Sequence, residues 1–169
     1  GRVVVSRSLR KLIRKQIYRI SFDTAFLSVI CACQFSGDRA NSTWITSEMR
    51  AAYLNLHKLG HGHSVEVWHD ELLVGGLYGI ALGKAFFGES MFSVRANTSK
   101  LALVALSRHL QARGFGLIDC QVHSDHLVSM GAEELSRQDF QKKLSTLLSC
   151  EEQPGAWETP PNNLLKNPS

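Results

Sequence analysis

Residues 63–93, HSVEVWHDELLVGGLYGIALGKAFFGESMFS, constrain the fold of this 169-residue sequence more than any other segment. Their β-branched and aromatic residues predict three consecutive antiparallel strands, which turn near His69–Asp70 and again near Gly83–Lys84. Helical periodicity precedes this run, and a helix, a strand and a further helix follow it. Strands clustered between helices predict an α/β (α+β) fold in which helices pack on a mixed, largely antiparallel sheet.

The helices and the outer strands carry recognisable end signals. We expect Ser6 or Ser8 to cap the first helix, Asp23 the second and Thr98 the long helix that stops at Gly114. The corresponding segments are SRSLRKLIRKQ, DTAFLSVICACQ, WITSEMRAAYLNLHKLG, TSKLALVALSRHLQARG and SRQDFQKKLSTLLSC for helices, with IYRISFD and FGLIDCQV for strands.

Length and composition indicate one domain over residues 1–150, followed by a loose tail over 151–169 that lacks periodicity. No apolar run approaches the roughly 18–20 residues of a membrane span, so we expect no membrane association. The four cysteines show no disulfide-framework spacing, which is typical of reduced thiols in the cytoplasm.

The first 19 residues are strongly basic and contain no acid. Their seven basic residues are Arg2, Arg7, Arg10, Lys11, Arg14, Lys15 and Arg19. Since the whole chain has 19 basic and 15 acidic residues, the remainder has 12 against 15, or −3 net. This cluster is either a solvated helix face or a patch that neutralises the phosphates of a nucleic acid.

An aspartate and a glutamine lie two residues apart in an otherwise apolar segment, GLIDCQV. In a strand over 117–122, Asp119 and Gln121 would share one face about 7 Å apart. The alternate residues Ile118, Cys120 and Val122 would then face the core. We expect this strand to lie beside the strand of residues 84–93, which would bring Asp119 and Gln121 near Glu89.

Other chemical motifs are weaker. His57, His61 and His63, like Cys120, His123 and His126, have spacings that a zinc site could use, but neither group has a paired C-x-x-C arm. We therefore expect no metal. Ser90 lacks the strand-to-helix elbow of a nucleophilic serine. The motif QARGFG matches a coenzyme A pyrophosphate loop, but it closes a helix instead of opening one.

An apolar stripe on the long helix has two interpretations. Leu103, Leu106 and Leu110 recur at helical spacing, which is typical of core packing. The same stripe could instead form one wall of a pocket for a large apolar side chain, together with Leu77, Phe86 and Met91.

The segments SRSLRK, TWIT, LHKLGHGHSVEVW, LVGGLYGIALG, FFGESMFS and LIDCQ, the last followed by HL-SMGA, together resemble the leucyl/phenylalanyl-tRNA–protein transferases. The similarity extends from about Val5 to Leu144. It implies an acyl-CoA N-acyltransferase-like fold. It also implies transfer of leucine or phenylalanine, and less well methionine, from aminoacyl-tRNA to proteins with N-terminal Arg or Lys. The product is a bacterial degradation signal.

The resemblance also assigns residues. It implies that Asp119 and Gln121 lie at the reaction centre and that Glu89 supports the acceptor. Trp44 is implied to help hold the aminoacyl-adenosine end. Side chains implied to line the pocket for the transferred residue are Leu77, Phe86, Met91, Leu103, Leu106, Leu110 and Ile118. Side chains implied to contact tRNA are those of the basic helix, Arg7, Arg10, Lys11, Arg14 and Lys15. An activated ester needs no cofactor, and a monomer is expected.

The family carries a tryptophan- and proline-rich N-terminal portion before SRS, which this chain is expected to lack. Two alternatives therefore stay open. One is a coenzyme A-dependent N-acyltransferase of the same fold, and the other is a truncated, non-catalytic tRNA-binding module.

Overall fold

A computed structural model describes residues 3–35, 46–150, 154–159 and 165 of the chain. Six helices and five strands occur in this part. They are α1 (Arg7–Lys15), β1 (Arg19–Phe22), α2 (Phe26–Phe35), α3 (Ser47–Lys58), β2 (Gly62–His69), β3 (Leu72–Leu82), β4 (Ala85–Ser93), α4 (Thr98–Ala112), β5 (Leu117–Asp119), α5 (Asp125–Ser129) and α6 (Arg137–Leu148). None of these helices is long and apolar enough to cross a membrane.

The five strands form one sheet in the order β1-β2-β3-β4-β5. The first three pairings are antiparallel and the last, between β4 and β5, is parallel. Left-handed backbone at Asp70 and Gly83 makes the two turns of the central meander. The three predicted strands of the meander, their turns and the position of β5 beside β4 are therefore confirmed.

Helices cover both faces of the sheet. On one face, α4 buries ten of its fifteen residues, and α1 packs through Leu9 and Ile13 into the same core cluster. On the other face, α2 and α3 cover a smaller cluster that includes Phe26, Tyr78 and Phe92. The alternating side chains of the strands thus supply two separate cores.

Of the three predicted helix caps, Ser6 is confirmed and Asp23 and Thr98 are wrong, whereas Thr46 is a cap that was not predicted. Ser6 and Thr46 each accept a hydrogen bond from the backbone N–H three residues later, as N-caps do. Asp23 does not cap α2, because its carboxylate accepts hydrogen bonds from the backbone N–H groups of Ser64 and Trp157 instead. Thr98 does not cap α4 either, since its hydroxyl donates to the Val74 carbonyl on β3.

The loose tail predicted from residue 151 is wrong for residues 154–159, which pack onto the body of the protein. Trp157 is only 4% exposed and its ring stacks on His63 at 3.8 Å. The backbone N–H of Phe22 donates to the Thr159 hydroxyl, and the Gly155 N–H donates to the Gly60 carbonyl. These contacts extend the folded unit beyond residue 150.

Candidate active site

The site lies where β4 and β5 separate. Their parallel pairing lasts for three residues and ends at Phe87 and Asp119. Just beyond, β4 contains a bulge, because Tyr78 pairs with Ser90 while Gly79 pairs with Gly88. Glu89 is the extra residue. Bulges redirect side chains, and here the bulge places the Glu89 carboxylate beside helix α3.

Gln121 crosses the gap between the separating strands. Its Nε2 group donates to the Gly88 carbonyl at 3.2 Å and to Glu89 Oε1 at 3.1 Å. Its backbone N–H donates to Asp119 Oδ1 at 2.9 Å. The expectation that Gln121 and Asp119 come near Glu89 is therefore confirmed.

The backbone that carries Asp119 and Gln121 differs from the predicted strand over residues 117–122. Strand β5 ends at Asp119, because Gln121 has φ +61° and the Val122 N–H donates to the Cys120 carbonyl in a γ-turn. Val122 is 70% exposed, so its predicted place in the core is wrong, whereas Ile118 and Cys120 do pack against the core. A left-handed non-glycine residue is costly and is often found at functional sites.

The hydrogen bonds fix the orientation of the Gln121 amide. A main-chain carbonyl and a carboxylate can only accept, so the NH₂ group of Gln121 faces Gly88 and Glu89. Both of its N–H bonds are thereby used. Within the described residues no donor reaches the Gln121 carbonyl oxygen or Asp119 Oδ2. The arrangement consequently offers two acceptors to an incoming N–H group.

The sequence interpretation missed Tyr53 on α3, whose hydroxyl donates to Glu89 Oε2 at 2.7 Å. Burial, with the contact to Glu89, raises the pKa of Tyr53 above its usual value, so the phenol stays protonated. One signal could have identified it: a tyrosine four residues before His57 on the sheet-facing side of an amphipathic helix needs a partner for its hydroxyl.

A cleft of about 820 Å³ opens beside β5. Five of the site residues predicted from the sequence line it, namely Leu103, Leu110, Ile118, Asp119 and Gln121. Helix α4 and β5 supply apolar residues to its lining, and residues of α5 and α6 complete it. The acid and the amide therefore lie at the edge of a partly apolar space.

The other residues selected for the apolar pocket do not line this cleft. Leu77, Phe86 and Leu106 are buried in the main core, and Met91 packs against it. Phe86 lies 5.8 Å from the Trp157 ring, under the segment that the sequence placed in a tail. Trp44 lies outside the described residues. A role for the other four in binding the transferred side chain stays a prediction, as does the role of Trp44 at the aminoacyl-adenosine end.

Helix α1 presents its basic residues to solvent. The side chains of Arg7, Arg10, Lys11, Arg14 and Lys15 are all exposed, and no acidic residue occurs in the first turn of the helix. Leu9 and Ile13 bury the opposite face, so the charges form one outward surface. Arg10 also donates from Nε to the Val5 carbonyl at 3.2 Å.

Three of the histidines considered for metal binding have other partners. His57 Nδ1 bonds to the Gly62 carbonyl at 2.8 Å, His63 bonds to Asp23 at 2.8 Å, and His123 pairs with Glu134 at 2.8 Å. Among the described residues no group of three or more His, Cys, Asp or Glu side chains is arranged to hold a metal ion.

The QARGFG motif lies at the C-terminal end of α4. The backbone N–H groups of Arg113, Gly114 and Phe115 donate to carbonyls of the helix, and that of Gly116 donates to Lys84. A pyrophosphate needs free N–H groups at such a loop. This motif therefore has none to offer, which counts against coenzyme A binding there.

A family model described as leucyl/phenylalanyl-tRNA protein transferase matches residues 1–145. The chain belongs to this family. It is similar to the leucyl/phenylalanyl-tRNA–protein transferases of Aromatoleum aromaticum (54% identity over 90% of the chain) and Cellvibrio japonicus (58% over 83%). The chain spans 65% and 60% of the length of these two relatives.

The fold of this chain is similar to that of a solved acetyltransferase structure. An aminoglycoside acetyltransferase from an uncultured soil metagenomic sample, solved with sisomicin, aligns with a TM-score of 0.53. It covers 72% of this chain and 93% of its own, at 16% identity. At that identity the likeness shows the fold alone, and it confirms the predicted N-acyltransferase-like architecture.

Proposed function

We propose that this chain transfers leucine or phenylalanine, and less well methionine, from aminoacyl-tRNA to proteins with N-terminal Arg or Lys. Such a transfer creates an N-terminal degradation signal in the bacterial cytoplasm, and one monomer suffices for it. The observation that carries the proposal is that Asp119 and Gln121 lie at the edge of a partly apolar cleft, with Gln121 hydrogen-bonded to Glu89.

The reaction needs positioning more than activation. The acceptor's α-amine attacks the carbonyl carbon of the aminoacyl ester, and the tetrahedral intermediate releases the ribose oxygen of tRNA as a hydroxyl. The proton lost by the amine balances the proton gained by that hydroxyl. Gln121 and Asp119 offer acceptor oxygens that can hold the amine, and holding both reactants together can contribute several kcal/mol.

Specificity follows from the two sides of the site. The apolar wall with Leu103, Leu110 and Ile118 suits a leucine or phenylalanine side chain. Loss of one methylene in such a pocket costs about 1–3 kcal/mol, which separates leucine from valine only modestly. The carboxylates of Glu89 and Asp119 suit the cationic side chain of an Arg or Lys acceptor.

Mass spectrometry of an N-terminal Arg peptide incubated with leucyl-tRNA and this chain tests the proposal. We expect a mass increase of one leucyl group. Asp119→Ala and Glu89→Ala should each reduce the transfer at least about a hundredfold, given the magnitude of lost positioning. Glu71→Ala, which removes an exposed carboxylate from the β2–β3 turn, is the matched control and should transfer normally. Undiminished transfer by both site variants would refute the assignment.

The basic face of α1 is proposed to bind the tRNA. Replacing Arg10, Lys11, Arg14 and Lys15 together with alanine should lower the magnitude of the slope of log affinity against log salt by about 3–4, because each of the four phosphates that is no longer neutralised reduces it by about 0.7–0.9. A double variant of Lys58 and Lys142, which are exposed elsewhere, should retain the wild-type slope. An unchanged slope in the quadruple variant would remove this helix from the tRNA site.

A further inference from the structure

We propose that Tyr53 of helix α3 is a positioning residue that holds the Glu89 carboxylate in the orientation needed to receive a cationic acceptor side chain. The inference rests on the proposed function, because it assigns Glu89 to the acceptor. It adds a residue on a different structural element, and with it a link between α3 and the separating strands β4 and β5.

Both oxygens of the Glu89 carboxylate are held, each from a different side. Tyr53 donates its hydroxyl hydrogen to Oε2 at 2.7 Å, and Gln121 donates an amide hydrogen to Oε1 at 3.1 Å. Without the phenol, only the Gln121 amide would hold this partly exposed carboxylate. With it, the unused lone pairs of the carboxylate are fixed relative to the Gln121 amide.

Tyr53 is itself fixed in place. Its ring packs edge-on against Tyr78 with centroids 5.2 Å apart, and Tyr78 is fully buried in the core beneath α3. Burial and the bond to Glu89 raise the pKa of Tyr53, so it remains a donor over the whole range in which the chain would work. A rigid donor of this kind orients a charge at little entropic cost.

The obvious variant is Tyr53→Phe, which removes the hydroxyl and keeps the ring packing. Tyr78→Phe is the matched control, because the Tyr78 hydroxyl is buried and has no hydrogen-bond partner among the described residues. The first measurement is the affinity of an N-terminal Arg peptide for the full chain by fluorescence anisotropy. The second is leucine transfer from leucyl-tRNA to the same peptide and to its citrulline analogue, a neutral isostere of arginine.

We expect Tyr53→Phe to weaken Arg-peptide binding about tenfold, the size of one hydrogen bond to a charged group. Transfer to the citrulline peptide should be unchanged, because its neutral side chain does not rely on the Glu89 charge. A merely structural defect would instead lower transfer to both peptides alike. In a Glu89→Ala background, Tyr53→Phe should add less than twofold. Tyr78→Phe should match wild type in both measurements.

The outcomes separate the two proposals. Wild-type transfer with an unaffected Tyr53→Phe variant overturns this inference and leaves the proposed function standing. Equal losses for Arg and citrulline peptides, or a full tenfold loss in the Glu89→Ala background, overturn it as well. If the wild-type chain binds the Arg peptide but transfers nothing, the proposed function fails while the binding measurement still decides on Tyr53. If it does not bind the peptide, both are refuted.

Discussion

Replacing Trp157 with alanine should strongly destabilise the chain, although the sequence placed this residue in a tail. A buried tryptophan removes about 150–250 Å² from water, which at about 25 cal/mol per Å² amounts to about 4–6 kcal/mol. Measured losses for core Trp→Ala changes are about 3–5 kcal/mol, and we expect a value in that range. The ring's neighbours are Phe22, His63, Phe86, His109 and Phe115, with the Arg113 guanidinium over its face.

Truncation after residue 153 should cost more than the side chain alone. It also removes the Trp157 N–H that donates to Asp23 and the Thr159 hydroxyl that accepts from Phe22. Each unpaired buried group adds about 1–3 kcal/mol. Because native domains are stable by only about 5–15 kcal/mol, the truncated chain should be largely unfolded at moderate temperature.

Urea unfolding followed by far-UV circular dichroism measures these differences. Phe35→Ala is the control, since that aromatic side chain is 66% exposed and its removal should change the free energy of unfolding by less than about 0.5 kcal/mol. A loss below about 1 kcal/mol for Trp157→Ala would refute the reasoning, and so would a truncated chain as stable as the full one.

Three further outcomes are expected. Glu66→Ala should cost at least about 3 kcal/mol in urea unfolding, because the buried carboxylate accepts from three hydroxyls and one backbone N–H that would lose their partner. Iodoacetamide at pH 8 should modify the exposed Cys150 well before Cys120, because burial raises the pKa of the Cys120 thiol. Equal rates of modification in peptide mapping would contradict this. Burial lowers the pKa of His126 below its usual 6.5, so its contribution to stability is present above about pH 6.5 and is lost as the pH falls. The urea midpoint of a His126→Gln variant should therefore fall less steeply between pH 7 and 5 than that of the wild type, and an equally steep fall would disprove this.

The sequence was a good guide to the elements and a poor guide to some of their ends. Periodicity located the central meander and the long helix because hydrophobic spacing reflects which face is buried. The ends depend on tertiary partners instead. Asp23 carries a capping residue type, but the backbone N–H groups of Ser64 and Trp157 occupy its carboxylate. Such partners are 41 and 134 residues away, which no local pattern reveals.

The tail illustrates the same limit. Residues 154–159 have no regular secondary structure, so no periodicity marks them as part of the fold. Their burial depends on a single tryptophan entering a group of aromatic rings contributed by distant elements. A lone tryptophan between prolines was the only available signal, and large aromatic residues are buried on average.

The candidate site could be located from its residue types but not from its backbone. A carboxylate and an amide in an apolar strand indicated a function, and β5 beside β4 brought them to Glu89 as expected. The γ-turn at Gln121 was not foreseeable, because left-handed backbone is uncommon for any residue other than glycine. The bulge at Glu89 depends on how β3 pairs with β4, which is also not local.

The separation of β4 from β5 explains why an apolar strand carries a polar pair. Past Phe87 the β4 backbone remains paired with β3 but no longer with β5, and the Gly88 carbonyl would face the gap unpaired. The Gln121 side chain takes the place of the missing strand by donating to that carbonyl, and its second N–H secures Glu89. The same amide thus closes the sheet and, with both of its hydrogens used, leaves only an oxygen for an incoming amine. A hydrophobic residue at this position could fill the space, but it could neither pair the carbonyl nor hold the carboxylate.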